Sequence, residues 1–175
     1  MESIVTALPA EFRTVRYDGS RFPGSAAVAA RPRLSAGANC QLFAYAVLRH
    51  FGLTPPELRS SELWNDTGTT VHVPVAQPLD LVLFNATADA YGAHVGVHVG
   101  DDAILHLCAE VRHPVVWGPA DFAARERYAV MLGAKRVLRP SAADVPNIRD
   151  SRDSPDVRKS AGVPGARSGI VPADE

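Results

Sequence analysis

The sequence is poor in cysteine, carries no basic excess and contains no long apolar run. Its two cysteines, Cys40 and Cys108, are too few for a disulfide framework, so we expect them as thiols. Lysine and arginine number 18 against 19 acidic residues, which excludes the strongly basic surface that nucleic-acid binding requires. No apolar stretch approaches the roughly 20 residues of a membrane span. The 175 residues are therefore expected to form about one globular domain that binds neither nucleic acid nor membrane.

The two ends of the chain differ in composition from the middle. The N-terminus, MESIVTALPAEFRTVRYDG, lacks the basic start and apolar stretch of an export signal, so we expect a cytoplasmic protein, provided that no signal has been removed. Residues 1–30 show no sustained period and are assigned to an N-terminal extension, mostly coil with one short helix. Residues 140–175 lack aromatic side chains and scatter prolines among charged residues, which predicts a disordered C-terminal tail.

Apolar periodicity predicts one helix followed by strands. From Asn39 to Phe51 apolar residues recur at helical spacing, and Gly52 suits a left-handed stop, so we expect a buried helix of about three turns. The next segment, LTPPELRSSELWND, predicts a short polar helix or turns capped by Thr54. Short β-branched segments follow: TVHVPV, LDLVLFN, HVGVHVG, AILHLC, PVVWG and YAVMLGAKRVL. The predicted fold class is α+β, with the helix packed on an antiparallel meander.

Cys40 lies in the first turn of the predicted helix. Unpaired backbone N–H groups and the helix dipole create positive potential there, which favours a thiolate. The same N–H groups suit the oxyanion that forms when a thiolate attacks a carbonyl. The alternative is a small apolar residue at the start of a buried helix, since free cysteines are among the most buried residues.

The segment HVGVHVGDDAILHLC, residues 94–108, predicts a β-hairpin with histidines on both strands. Alternation puts His94 and His98 on one face of the first strand, about 13 Å apart. With a three-residue Gly-Asp-Asp loop, His94 and His106 become diagonal neighbours on the same face, whereas a two-residue loop puts them on opposite faces. Gly96 is then expected to leave open space beside the two imidazoles.

This hairpin is compatible with two kinds of chemistry. His94 could act as the general base for Cys40, with His106 orienting it, as in a nucleophile, base and orienter triad. Alternatively, His94, His106 and Cys108 could hold zinc from one face of the sheet, although their spacing matches no standard zinc signature. We expect a structural or peripheral role for His98.

Three motifs together, NCQLFAYAVLRHFG, PLDLVLFN and HVGVHVGDDAILHL, resemble the NlpC-type family of papain-like cysteine peptidases. In that family an acidic residue and a Cys open a helix, a Pro-Gly-Asp-Leu-Val-Phe-like strand follows, and a second His comes twelve residues after a His-Val-Gly motif. Here His94 and His106 are twelve residues apart, and Asp80 falls in the matching place. The resemblance covers about residues 31–139, the assigned catalytic domain, and implies a papain-like fold with Cys40 as nucleophile, His94 as base and His106 as orienting residue.

The sequence departs from this family where members that cut cell-wall peptides recognise their substrate. Such members carry Asp-Cys-Ser and a Tyr about a dozen residues upstream, whereas this chain has Asn39, Cys40 and Gln41 and no Tyr between Tyr17 and Cys40. Residues flanking the cysteine and two aromatics in loops bordering the cleft are candidate substrate contacts, although large aromatics serve packing equally well. The candidate substrate-binding residues are Asn39, Gln41, Trp64 and Tyr91.

The sequence thus predicts a cysteine-dependent amidase or peptidase that acts on a small peptide or another amide-containing substrate. The reaction runs through a thioester acyl-enzyme and requires no cofactor or metal. An acyltransferase with the same acyl-enzyme and a catalytically silent binding domain of the same fold are the alternatives. The sequence gives no indication of the acyl acceptor or the oligomeric state.

Overall fold

The computed structural model describes residues 3–139, so the predicted disordered tail at 140–175 lies outside the described residues. The helices are α1 Ile4–Ala7, α2 Ala10–Arg13, α3 Ala26–Ala30, α4 Cys40–His50, α5 Ser60–Asn65 and α6 Pro119–Ala123, with 3₁₀ turns at Leu34–Ala36 and Glu126–Tyr128. The strands are β1 Thr70–Val73, β2 Leu81–Asn85, β3 His94–Gly100, β4 Ala103–Leu107, β5 Pro114–Trp117 and β6 Val130–Val137. The fold class is α+β, as predicted. Over residues 3–139, no helix combines the length and the apolar character needed to cross a bilayer.

Helix α4 begins and ends where the sequence predicts. Asn39 caps it, because its Oδ1 accepts a hydrogen bond from the Leu42 N–H at 2.8 Å. After the last turn, Gly52 adopts a φ of +76°, the left-handed conformation that favours glycine beyond a helix end. The shorter helix α5 begins at Ser60, well beyond the predicted cap Thr54.

The six strands form one antiparallel sheet in the order β1-β6-β2-β3-β4-β5. Strands β2 to β5 follow one another as the predicted meander. The last strand departs from it, because β6 returns to pair between β1 and β2. Residues 81–84 of β2 are all buried, so this strand belongs in the interior of a sheet, where both of its edges find hydrogen-bond partners.

The two faces of the sheet support separate apolar cores, because neighbouring residues of a strand point to opposite faces. One face packs against α4 through alternate residues of three central strands, namely Leu81, Leu83, Val95, Val97, Leu105 and Leu107. The other face carries a mainly aromatic core that includes α6, namely Val82, Phe84, Ile104, Trp117, Phe122 and Tyr128. The histidines of β3 and β4 belong to this second face.

The register of the β3–β4 hairpin is the predicted one. Val97 pairs with Leu105, and His98 pairs with Ile104, which are the pairs expected from a three-residue loop. His94 and His106 therefore lie on the same face of the sheet.

The loop itself differs from the prediction. Gly100 pairs directly with Ala103, so the turn contains two residues, Asp101 and Asp102, with φ values of +50° and +55°. Two successive positive φ angles are typical of a type I′ hairpin turn. The register shifts between His98 and Gly100, which leaves Val99 as a β-bulge. This extra residue restores the register that a two-residue turn alone would have lost.

The N-terminal segment contains more structure than the predicted coil with one helix. Helices α1, α2 and α3 all lie in it, and their short lengths explain why no periodicity is visible. Phe12 and Val15 are buried in the core under α4. Arg21 is fully buried, and its guanidinium donates hydrogen bonds to four backbone carbonyls, those of Gly37, Ala27, Arg31 and Arg33. This arginine holds the segment that leads into α4.

Candidate active site

Two histidines from adjacent strands form a buried hydrogen-bonded pair. His94 begins β3 and His106 lies in β4, with His94 Nε2 and His106 Nδ1 3.0 Å apart. Their rings are almost perpendicular, at 88°. His94 is 7% exposed and His106 is fully buried. The hairpin register thus places together the two imidazoles that the sequence predicts to be neighbours.

Gly96 does not leave the open space that was expected beside this pair. A Cβ at position 96 would lie far inside van der Waals contact with Ile104 Cγ2 and 3.2 Å from His106 Cβ. Side chains of β4 already fill the room above the glycine. Gly96 therefore permits close packing of β4 rather than forming a recess for substrate.

The Cys40 sulfur lies at the start of α4, next to β3. Its neighbours include the backbone N–H of Val95, the residue that follows His94, and the N–H groups of Cys40 and Gln41. Tyr128 connects the same two regions, because its ring lies 4.8 Å from that of His94 and its pKa is raised in part by the charge of Cys40. The fold thus brings the thiol to the end of β3 that carries His94.

Burial is the largest influence on the pKa values of Cys40 and His94. Desolvation raises the pKa of the Cys40 thiol and outweighs the hydrogen bonds from backbone N–H groups that lower it. Burial, followed by the neighbouring charges of His106 and Arg127, holds the pKa of His94 well below its usual value. Both shifts favour the uncharged forms, a thiol at Cys40 and a neutral imidazole at His94. The backbone N–H groups at the helix terminus lower the pKa of the sulfur, as expected from the sequence, but burial acts against them.

The second nitrogen of His106 points into aromatic surroundings. Across residues 3–139, Nε2 of His106 is the one buried side-chain nitrogen or oxygen without a hydrogen-bond partner. The rings of Trp117 and Phe122 lie 4.2 Å and 5.0 Å from the imidazole, centroid to centroid. Burial and then the positive charge of Arg125 lower the pKa of His106 to about 3. His106 is therefore held neutral.

Tyr17 lies near Cys40, which the sequence analysis did not predict. Its backbone forms a parallel bridge with Ala38, two residues before Cys40. Burial raises the pKa of Tyr17, and the nearby charge of Cys40 raises it further. Tyr17 is 23 residues upstream of Cys40, instead of the expected dozen, because residues 18–37 make an excursion before the chain returns. As the sole Tyr before Cys40, it could have been singled out.

The residues that flank Cys40 serve the fold through their side chains. Asn39 caps α4, as described above. The Gln41 side chain is buried and donates hydrogen bonds to the Tyr45 hydroxyl and to the Leu58 carbonyl, both at 2.8 Å. The structure therefore does not bring the side chain of Gln41 to the sulfur, and only its backbone N–H faces the site.

The two aromatic candidates for substrate contact lie in different places. Trp64 packs edge-on against His72 of β1, with centroids 4.4 Å apart, and covers Gly133 of β6. Strand β2 separates β6 from β3, so Trp64 belongs to the other end of the sheet. Tyr91 is 78% exposed in the loop that leads to His94, and its contact with substrate stays a prediction.

Neither the zinc alternative nor Asp80 adds a further group to the site. Within residues 3–139 no cluster of three His, Cys, Asp or Glu side chains is placed to hold a metal ion. Asp80 is buried at the start of β2, where its carboxylate accepts hydrogen bonds from Arg136 and from the Gln77 N–H.

Among known proteins, the similarities found are to solved structures. No family model matches the chain, and no curated protein matches it. The solved structures that are similar to it include two that carry the same family name. A NlpC/P60 family protein from Bacillus cereus is 24% identical, with a TM-score of 0.45, over 60% of this chain and 33% of the other. The NlpC/p60 domain of the peptidoglycan hydrolase SagA is 20% identical, with a TM-score of 0.44, over 69% and 90%.

Both structures carry the family name that the sequence motifs suggest. This chain spans one third of the length of the Bacillus cereus protein. At these identities and TM-scores the likeness assigns no activity to the chain and no role to any of its residues.

Proposed function

We propose that this chain is a cysteine-dependent amide hydrolase that acts on a peptide-like or other amide substrate through a thioester acyl-enzyme. The observation that carries the proposal is the buried His94–His106 pair beside the helix terminus that bears Cys40. The sulfur attacks the amide carbonyl while His94 takes the thiol proton. His94 then delivers that proton to the leaving amine. Water, deprotonated by His94, attacks the thioester carbonyl, the C–S bond breaks to release the acid, and His94 returns the proton to the Cys40 sulfur.

The hydrogen-bond pattern of the two imidazoles suits this role. For His94 to accept a proton from sulfur through Nδ1, its Nε2 must carry hydrogen and donate to His106 Nδ1. The proton of neutral His106 then resides on its Nε2, which faces the aromatic rings of Trp117 and Phe122. These rings offer no acceptor stronger than a π face. His106 therefore acts as a positioning residue that fixes the tautomer of His94.

The start of α4 supplies hydrogen-bond donors that can stabilise the oxyanion of the reaction. The N–H groups of Cys40 and Gln41 point toward the sulfur, and the first turn of an 11-residue helix has no internal acceptor for them. A carbonyl oxygen attacked by Cys40 would develop its negative charge beside these donors. We also propose a cytoplasmic location for the chain.

The test measures alkylation of Cys40 by iodoacetamide in a Cys108→Ala background. We expect Cys40 to be labelled at pH 7, and His94→Ala to slow the reaction about tenfold or more, because the base that removes the thiol proton is absent. A short activated ester should leave one acyl group on Cys40, detected by mass spectrometry. Failure of both reactions at Cys40, with the protein folded by circular dichroism, would overturn the proposal in favour of a silent binding domain.

A panel of amide substrates then addresses what is cleaved. Peptides of the cell-wall stem belong in this panel because one of the similar structures is from a peptidoglycan hydrolase. Release of amine from any substrate, and its loss in Cys40→Ala, supports hydrolysis. Release that requires an added amine or alcohol acceptor indicates acyl transfer instead.

A further inference from the structure

A cavity lies on the face of the sheet that is turned away from α4. Its volume is about 420 Å³, which falls within the roughly 300–1,000 Å³ of small-molecule sites. Strand residues form its floor, and α6 and the loop after β1 form its walls. The lining is mainly apolar and includes Val73, Val82, Phe84, Ile104, Phe122 and Met131.

This cavity is separate from the sulfur but adjoins the catalytic pair. Cys40, His94 and His106 do not line it, whereas Phe122 and Tyr128 do. The same two rings contact His94, with centroids 6.3 Å and 4.8 Å from its imidazole. One layer of aromatic rings therefore separates the cavity from the proposed base.

His98 supplies a hydrogen-bond donor in the wall of the cavity. It is 7% exposed, and its Nδ1 accepts a hydrogen bond from the Gly100 N–H at 3.3 Å. Because Nδ1 accepts this hydrogen bond, Nε2 is the ring nitrogen that donates. In the described part of the chain nothing accepts a hydrogen bond from that Nε2, and the atom is not among the buried ones that lack a partner, so it keeps access to solvent. A solvent-accessible donor in the wall of an apolar cavity can donate to the oxygen of a ligand that enters it.

The charge of the lining restricts the ligand further. Asp102, in the exposed hairpin turn at the rim, is the sole residue with a full charge around the cavity, and no Lys or Arg lines it. An anionic ligand would meet a carboxylate with no compensating cation. Val75 and Met131, 72% and 65% exposed, give the rim an apolar entrance. The lining therefore favours an uncharged apolar group that carries one hydrogen-bond acceptor.

We propose that this cavity binds an uncharged aliphatic group whose oxygen accepts a hydrogen bond from His98 Nε2, and that this group is part of the substrate of Cys40. The second half rests on the proposed function, because it requires a substrate at Cys40. The first half stands on the cavity alone. The proposal gives His98 a binding role, in place of the structural or peripheral role expected from the sequence.

Binding of octanamide, measured by titration calorimetry, tests the first half. Octanamide has an aliphatic chain and a carbonyl acceptor without charge. Ala76→Trp, which fills the cavity from its half-buried wall, should abolish binding, while Ala29→Trp on the exposed side of α3 should leave it unchanged. Binding unaffected by Ala76→Trp would overturn the proposal.

Two further comparisons test the hydrogen bond and the charge preference. His98→Leu should weaken octanamide binding about tenfold, whereas His98→Gln, which keeps an N–H donor at similar reach, should bind within about threefold of the unchanged protein. Octanoate, which is anionic at pH 7, should bind more weakly than octanamide. Equal binding by His98→Leu, or tighter binding of octanoate, would contradict the assigned ligand chemistry.

The link to Cys40 is tested with p-nitrophenyl esters of increasing acyl length. Their kcat/KM should rise with chain length in the unchanged protein and stay flat in Ala76→Trp. Octanamide binding combined with an unreactive Cys40 would refute the proposed function and leave the cavity as a ligand site. Turnover of short esters without any effect of chain length or of Ala76→Trp would refute the cavity as a substrate site while the hydrolase stands.

Discussion

Asp80 and Arg136 form a two-point salt bridge between the start of β2 and the end of β6. Arg136 Nε donates to Asp80 Oδ1 at 2.8 Å, and Nη2 donates to Oδ2 at 2.7 Å. The carboxylate is almost completely buried, while the guanidinium is partly exposed. This pair ties the last strand into its position between β1 and β2. Asp80, which the family resemblance places in a strand motif, thus has a role in assembling the sheet.

Replacing this buried carboxylate should destabilise the fold. Asp80→Asn removes the charge from the pair and should lower the free energy of unfolding by about 2–3 kcal/mol, because the remaining groups lose charge-assisted hydrogen bonds. Urea unfolding measures the loss. The matched control is Glu57→Gln, which breaks the more exposed pair with Arg49 and should cost little. Equal effects of the two changes would contradict a structural role for Asp80.

Gly96→Ala should destabilise the hairpin by about 1–3 kcal/mol, because the new methyl group overlaps Ile104. The double variant with Ile104→Ala should cost less than the sum of the two single changes, since the obstructing side chain is then absent. Chemical unfolding of the four proteins in this cycle measures the coupling. Additive effects would show that the contact between positions 96 and 104 is not the cause.

The stability of the fold should decrease in acid because of the buried histidines. The pKa of His106 is about 3 in the folded state, below the ordinary value near 6.5, so the unfolded chain binds the proton more tightly. Stability from this group is complete above pH 6.5 and falls by about 1.4 kcal/mol per pH unit between pH 6.5 and pH 3. His94, whose pKa is also lowered, acts in the same direction.

Urea unfolding at pH 7, 6, 5 and 4 measures this dependence. His106→Gln removes one titrating group and should flatten the curve. The same slope in both proteins would show that His106 is not held neutral in the folded state.

The acid limb of the catalytic pH profile should lie below pH 6.5. Burial keeps the pKa of His94 low, so the base stays unprotonated in mildly acidic solution. A profile of kcat/KM against pH, with the best ester substrate, measures the limb. A limb at or above pH 6.5 would indicate an exposed histidine as the base instead.

His106→Gln should retain more activity than His106→Ala. The glutamine carbonyl can still accept from His94 Nε2–H, whereas alanine leaves that donor unpaired in a buried site. We expect kcat to fall by about a hundredfold or more in the alanine variant and by clearly less in the glutamine variant. The alkylation rate of Cys40 at pH 7 provides an independent readout. Equal losses in both variants would mean that His106 acts only through packing.

The elements of the sheet and the long helix could be predicted from the sequence because their signals are local. The cap at Asn39 and the stop at Gly52 depend on backbone groups within one helical turn. The neighbourhood of His94 and His106 follows from strand alternation and a short turn. The predicted loop length is wrong, whereas the predicted pairing of β3 with β4 is right. A two-residue turn with a bulge at Val99 gives the same register as a three-residue loop.

Other features of the structure could not be predicted from local sequence patterns, because they depend on contacts between segments far apart in the chain. Packing between distant segments produces three such features. They are the insertion of β6 beside β2, the approach of Tyr17 to Cys40 and the inward turn of the Gln41 side chain. The cavity beside His98 likewise needs β1, β2, β6 and α6 together.

The sequence by itself determined which residues could react and on which elements they lie, since residue type and periodicity are properties of neighbouring positions. Only the tertiary structure decided their ionisation. The pKa values of Cys40, His94 and His106 are dominated by desolvation, and the degree of desolvation depends on which distant side chains cover each group.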